Sequence, residues 1–497
     1  MGVRAIMRAC FLGLLFCLVS ASLASAQTCT YYANPTDLGN CSSPSTACGV
    51  AEGIALLTPG DTLCLLDGTY QGASSMAVLN HVQGTAGSLI TIRAVNRGGV
   101  VIDAENVDFR RGIYVYNDSQ YLVIDGLFVK RGDGNIVVSD FDGTGECSPK
   151  PSCKPNNITF RFVAAWDAGP TNLSSLFATE GVDTVVEDSA FFTTSSAASP
   201  RKPIGTIGSV NPIFRRVFLR YSGSPSVNPK YGYESGYHAW KNTCENCVIL
   251  FTGDFMNNNT NGVYATDNGW WNPGDVTGLG GPNSERHDAA ILGSLFLVTA
   301  ATYNPPGSVF PAFLLRMGNV EDLGQSPIRL SMNGHDVEHN VFFIDPASTH
   351  GASIIPVGLR NYSSSTPLDG AQNQVFSNNT LIGTLAASSL LGTWTTANND
   401  IVTTLGAANN IFTGSGAGGR LCFQYVDRAL TATPLWPWPA NDFIQTAMST
   451  AGLTPIDLTA TVESIFGTIP GACLTSGPPP MPQTAITGMT LTGGRVQ

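Results

Sequence analysis

The amino-acid sequence predicts an all-β chain wound as a parallel β-helix, a single-stranded solenoid. Three observations carry this reading. A short pattern recurs along the 497 residues: an apolar residue, two polar ones, a small residue or Asn, then two or three apolar ones. The apolar runs are short, rich in Val, Ile and Phe, and bounded by Gly, Asn, Asp and Pro, as strands between turns are. No long amphipathic helix separates them, which disfavours α-solenoids and βα repeats.

Val186-Glu187-Asp188-Ser189-Ala190-Phe191-Phe192 and Val337-Glu338-His339-Asn340-Val341-Phe342-Phe343 are two copies; Phe376 to Ile382 and Ala408 to Phe412 are others. Aligning the fourth position makes Gly126, Phe162, Ser189, Arg216, Cys247, Ser294, Asn340, Asn379 and Asn410 equivalent. The intervals are 36, 27, 27, 31, 47, 46, 39 and 31 residues. Fixed strands with variable loops indicate repeats that bury their apolar faces only by stacking. Asn at one corner of successive coils can form a hydrogen-bonded ladder. A propeller is the alternative, but the tight two-residue hairpin turns it needs are scarce.

Taken in order, residues 1–26 read as a secretory signal: Arg4 and Arg8, an apolar stretch from Cys10 to Leu18, then Ala24-Ser25-Ala26 before Gln27. This places the protein outside the cell, in a periplasm or at a cell surface. Cys48 to Leu57 is a helix-like run that would cap the open end of the first coil and shield its strand edges. Thr62–Leu66, Leu89–Ala94, Val100–Ile102 and Ile113–Tyr116 begin the stack, which extends over residues 27–415. Residues 416–475 read as a C-terminal cap with a short helix in Asp457 to Phe466. Residues 476–497 are a Pro-rich tail. Ten cysteines follow the signal, an even number that suits disulfides in an exported chain. Local spacing pairs Cys41 with Cys48, Cys147 with Cys153 and Cys422 with Cys473. Cys29 and Cys64 lie on early strands that a bond could join. Cys244-x-x-Cys247 has redox-motif spacing but no thioredoxin-like βαβ surroundings, so a structural pair is expected.

Only 12% of residues are charged, 43% are hydrophobic and the net charge is −11. This excludes a disordered chain and argues against a nucleic-acid binder, which needs a basic face. No run after the signal is long enough to span a membrane.

Gly60-Asp61-Thr62-Leu63, Gly68-Thr69-Tyr70, Ile90-Thr91-Ile92-Arg93-Ala94 and Val123-Ile124-Asp125-Gly126 resemble the right-handed parallel β-helix proteins of the pectate-lyase-like superfamily. That fold carries many functions. The residues must therefore indicate the chemistry. The two longest intervals, 47 and 46 residues, are adjacent and imply long loops, where function concentrates. These loops hold Trp270, Trp271 and Tyr264, suited to stacking on sugar rings, and Ser284-Glu285-Arg286-His287-Asp288. Stacking phase aligns Lys241 with Arg286, His287 and Asp288, and then with His335. A lysine beside other cations can remove the acidic C5 proton of a uronate while an arginine holds the carboxylate, the requirement for β-elimination.

Glu234-x6-Lys241, with Asn242 following, resembles the chondroitinase-B and alginate-lyase branch of polysaccharide lyases. The resemblance implies an acidic polysaccharide as partner, Lys241 as base, and calcium as cofactor with Glu234 and Asp288 as ligands. Leu314-Leu315-Arg316-Met317-Gly318-Asn319 looks most like that family's arginine motif and falls two coils beyond Lys241, whereas Arg286 is one coil away without the motif. Asp140 to Glu146 also has the oxygen-rich look of a calcium loop. Two other readings stand beside this one. A glycosidase would pair carboxylates such as Asp254, Asp267, Asp275 or Asp288, about 5 Å or roughly 6.5–9.5 Å apart. A non-enzymatic, disulfide-stapled rod would bind glycans through its loops, with Lys241 a surface residue and His287 and His335 serving turn backbones.

Overall fold

A computed structural model describes residues 28–36, 39–72, 76–140, 153–169, 175–194, 202–221, 231–236, 241–251, 261–266, 290–298, 312–318, 336–338, 340–344, 354–361, 374–377, 380–382, 391–395, 405–408, 411–413 and 440–461. The signal segment and the tail lie outside these residues.

The chain is a right-handed parallel β-helix. Each coil contributes three strands, and each strand pairs in parallel with its equivalents on the coils before and after. The first sheet runs from Thr62–Leu65 through Ile90–Ala94 and Gln120–Asp125 to Leu405–Ala408. The second runs from Gly68–Tyr70 to Ile411–Thr413, and the third from Ala77–Asn80 to Leu391–Thr395. The third sheet has ten strands. Ahead of the first coil, Tyr31–Ala33 adds a rung beside Thr62–Leu65. Helix α1 (Val50–Ala55) buries Val50 and Ile54 in the core at that end. The expected cap is therefore present, two residues shorter at each end than the apolar run.

One inward column shows how the core is built. Leu63, Ile92, Ile124, Phe160, Val186, Phe214, Cys244 and Ile291 stack in register on successive coils, all buried. The next residue along each strand faces the other way, because side chains alternate. On six successive coils that outward column reads Arg93, Asp125, Arg161, Glu187, Arg215, Glu245. The signs alternate at every step. Arg161 Nε lies 2.9 Å from Asp125 Oδ2, and Arg215 bridges Glu245 at 3.2 Å and Glu187 at 3.6 Å. Slipping the stack by one coil would set like charges against each other.

The corner between the first and second sheets takes a left-handed backbone whatever its residue. Phe162, Asp188, Arg216 and Asn246 have φ of 49, 51, 50 and 53°, and Gly126 and Gly293 occupy the same place. The registers pair Ser189 with Val217 and Glu187 with Arg215. Gly126, Phe162 and Arg216 therefore align with Asp188, one residue earlier than the sequence alignment placed them. The residue after the corner makes the ladder. Ser189 Oγ accepts the Val163 N–H at 3.2 Å, Ser294 Oγ the Cys247 N–H at 3.1 Å, and Asn340 Oδ1 the Ser294 N–H at 2.8 Å. Asn379 and Asn410 lie outside the described residues.

The second sheet carries apolar columns on both faces, with Lys130 and Arg220 interspersed on the outward one, which explains the recurrent double-apolar end of the motif. Its outward column of Phe128, Ala164, Ala190, Phe218, Val248 and Leu295 is buried. Helix α2 (Asn441–Thr450) packs Phe443, Ile444, Ala447 and Met448 onto this column, with Phe443 5.3 Å from Phe128 and 5.7 Å from Phe162. The described part of the C-terminal segment thus lies along the flank of the early coils. Disulfides Cys29–Cys64, Cys41–Cys48 and Cys244–Cys247 match the expected pairs. Cys153 is also disulfide-bonded, while Cys147, Cys422 and Cys473 lie outside the described residues.

The ladder generates a test. Replacing Arg215 with Met removes the ion pair that Arg215 makes with Glu245, which is 2% exposed, and breaking a buried pair costs about 3–5 kcal/mol. Thermal unfolding should show a marked fall for Arg215→Met, most of it recovered when Glu245→Gln is added.

Candidate functional site

The third sheet carries the candidate site. Its inner column of Ile113, Ile136, Phe177, Ile204 and Tyr233 is buried. The alternate column reads Val78, Tyr114, Val137, Ala178, Gly205, Glu234, Tyr264, Arg316, Gly358, Gly392. Glu234, Tyr264 and Arg316 thus share one register column on three successive rungs. Arg316 stands two rungs, about 10 Å, beyond Glu234 at the usual strand spacing.

Lys241 is on the same coil as Glu234, at the corner that leads from the third sheet back to the first, and it is exposed. This corner is also left-handed. Tyr121, Asn157, Asp183, Asn211 and Lys241 have φ of 52, 53, 50, 54 and 55° on successive coils. Hydrogen bonds hold it on either side: Thr243 N–H donates to Pro212 O at 3.0 Å and Ala290 N–H to Asn242 O at 2.7 Å. Asn242 is buried and accepts from Ser209 Oγ at 3.3 Å. One coil earlier, the Asn211 amide donates to the Asp183 carboxylate at 2.7 Å. Lys241 therefore stands on a pinned backbone beside polar neighbours.

The other sequence candidates, Arg286, His287, Asp288, His335, Trp270 and Trp271, lie outside the described residues, as does most of the segment Asp140 to Glu146. Calcium binds about six to eight oxygen ligands. Among the described residues no group of three or more His, Cys, Asp and Glu gathers, and the column neighbours of Glu234 are Gly205 and Tyr264. The described residues do not supply a calcium set around Glu234.

A polar network at the N-terminal end of the same sheet escaped the sequence reading. Tyr114 hydrogen-bonds Ser139, whose Oγ donates to Glu180 at 2.6 Å; the same Glu180 oxygen accepts the Asp140 N–H at 3.1 Å. Lys154 Nζ sits 3.0 Å from Asp140 and donates to the Glu180 and Gly208 carbonyls at 3.2 and 2.8 Å. Asp140 and Lys154 are buried. Burial pushes the Glu180 carboxyl up, and the Asp140 charge adds to the rise, against the Ser139 hydrogen bond. Burial likewise raises Tyr114. The network staples four coils together. A glycosidase pair would face solvent, whereas these carboxylates are spent internally. Its one sequence signal is Tyr114-x-Tyr116, two aromatics on one strand face.

No family model matches the chain, and no curated protein matches its sequence. Solved structures are similar to it at low identity. Pectate lyase Pel9A is 14% identical, with a TM-score of 0.41 over 75% of this chain and 78% of that one. A mannuronic acid specific family 6 polysaccharide lyase from human gut microbiota is 13% identical, with a TM-score of 0.41 over 78% and 91%. A family 6 polysaccharide lyase from Pseudopedobacter saltans is 12% identical, with a TM-score of 0.38 over 73% and 90%. The likeness is one of fold. Among the described residues no helix is long and apolar enough to cross a membrane.

The Glu180 shift sets a pH test. A raised carboxyl favours its protonated form in the folded state, so its stabilising contribution is present below the unfolded pKa and is lost as pH rises through the folded one. Glu180→Gln keeps an acceptor but cannot ionise. The difference in unfolding temperature between the variant and the natural protein should grow in the variant's favour with rising pH; a pH-independent difference would refute this role.

Proposed function

We propose that the protein is an exported polysaccharide lyase that cleaves a uronate-containing polymer by β-elimination. One observation carries the reading: Glu234, Tyr264 and Arg316 share one register column, and Lys241 stands at the border of the same sheet on the Glu234 coil. The polymer lies along the third sheet, with a uronate carboxylate toward Arg316. Lys241 Nζ takes the C5 proton, and the electron pair left behind forms the C4–C5 double bond. The C4–O bond breaks, and the departing oxygen takes up a proton to become the hydroxyl of the released chain. Arg316 stabilises the charge that develops on the carboxylate, where a fixed cation acts most strongly. Tyr264, on the rung between, offers a ring for a sugar face. Glu234 is the residue assigned to a calcium ligand by the family likeness, and dependence on added calcium is read in the same assay.

The experiment incubates the purified protein with alginate, polygalacturonate and chondroitin sulfate, with and without calcium. It follows the ultraviolet absorbance of the unsaturated product and the appearance of reducing ends. Absorbance should rise with one polymer and fall by about 10²-fold or more in Lys241→Ala, the usual share of a general base. Reducing ends without absorbance would mean hydrolysis, and a flat trace on both readouts would leave a glycan-binding rod.

A further inference from the structure

The N-terminal end of the third sheet presents a second group of side chains that the elimination reading does not use. Tyr114 and Tyr116 alternate with buried Ile113 and Val115, so both lie on the outer side of the sheet. Their rings stack, with centroids 4.5 Å apart and planes 16° from parallel. The Arg111 guanidinium covers the other face of Tyr114 at 4.1 Å. The Tyr114 hydroxyl is tied to Ser139. Three planar groups are thus held in one stack, and Tyr116, at its end, keeps one ring face free of described aromatic or cationic contacts.

A polar fringe frames that ring. On the preceding rung, Asn80 pairs in register with Tyr116. Asn80 is exposed, and its Oδ1 accepts from the Asn117 amide at 2.6 Å. Beside them His81 Nδ1 meets Asp118 at 2.5 Å on an exposed surface. This is a fringe of planar donors and acceptors. At the opposite end of the strand, the segment leading into it projects Phe109, which is 80% exposed. Three non-glycine residues in that segment, Glu105, Asn106 and Phe109, take left-handed backbones with φ of 58, 61 and 60°. The strain is held in place. Phe109 N–H donates to Asp133 at 3.1 Å, Asn106 N–H to Arg131 O at 2.8 Å, and Arg131 grips Asp103 with two hydrogen bonds at 2.8 and 2.5 Å. These left-handed positions are held by their neighbours, as those at the coil corners are.

We propose that Tyr116, with the Asn80–Asn117 amides, forms an accessory glycan-binding site. Sugar rings have apolar faces for aromatic stacking and equatorial hydroxyls for planar amides, and this site offers both, pre-organised. It lies four rungs, about 19 Å, from the Glu234 rung, on the same sheet. A linear chain bound here would be directed along the axis toward Lys241. The proposal rests on the third sheet being the glycan-facing surface, as the proposed function has it, but it needs no elimination.

The test measures binding without turnover, by calorimetric titration of the Lys241→Ala protein with oligomers of alginate and polygalacturonate and with a neutral galactomannan. One glycan should bind. Adding Tyr116→Ala should weaken its affinity roughly tenfold, while Tyr116→Phe should keep it, with unfolding temperatures unchanged throughout. Equal affinity with and without Tyr116→Ala overturns the proposal, and so does binding to none of the three. Tyr116-dependent binding in a protein that shows no elimination would retain this site and discard the lyase; elimination with Tyr116-independent affinity would do the reverse.

Discussion

Everything in this molecule depends on the phase with which one coil sits on the next. Two corners per coil adopt a left-handed backbone, one at Gly126, Phe162, Asp188, Arg216 and Asn246, the other at Tyr121, Asn157, Asp183, Asn211 and Lys241. Most residues resist this conformation. They accept it because each corner is hydrogen-bonded to the corner before it, as Val163 N–H is to Ser189 Oγ and Thr243 N–H to Pro212 O. Once the corners are in phase, strands fall into register. Apolar residues then stack over apolar residues, and the outward column alternates from Arg93 to Glu245 without meeting a like charge.

The three sheets are put to different uses. The first has an apolar inner column and a charged outer one, so its outside is finished by its own ion pairs. The second carries apolar columns on both sides, and a bare outer face of that size would invite association; α2 covers its early coils with Phe443, Ile444, Ala447 and Met448. The third has a buried inner column and an alternate register column that passes from Tyr114 through Ala178 and Gly205 to Glu234, Tyr264 and Arg316. Along that column the small residues Ala178 and Gly205 stand between Tyr114 and Glu234. The candidate chemistry and the accessory aromatic site lie on this one sheet.

The coil and its strands were legible in the sequence because hydrophobic alternation and turn residues are local signals. Ile113–Tyr116 was placed to the residue, and Thr62–Leu65, Ile90–Ala94 and Val100–Asp103 to within one. The ladder position was misjudged by one residue at Gly126, Phe162 and Arg216. A left-handed Phe or Arg carries no mark in the sequence, and only pairing between coils reveals it. Helix α2 escaped notice although Phe443, Ile444, Ala447 and Met448 have helical spacing. The two prolines before it, Pro437 and Pro439, and the weak repeat around it drew the reading toward irregular structure.

By itself, then, the sequence determined the class of fold, the cap at the N-terminus and the local disulfides, since each follows from spacings within a few residues. Glu234 and Lys241 were visible as a pair for the same reason. Only the tertiary structure decided what stands beside them. Arg316 is 82 residues from Glu234 in the chain but shares its column, because variable loops leave the strand register intact while scrambling the intervals by which a sequence is read. The same holds for Glu180, Lys154 and Ser139, and for Tyr116 and Asn80. Their chemistry comes from stacking between coils, and that distance is set by backbone hydrogen bonds and not by position along the chain.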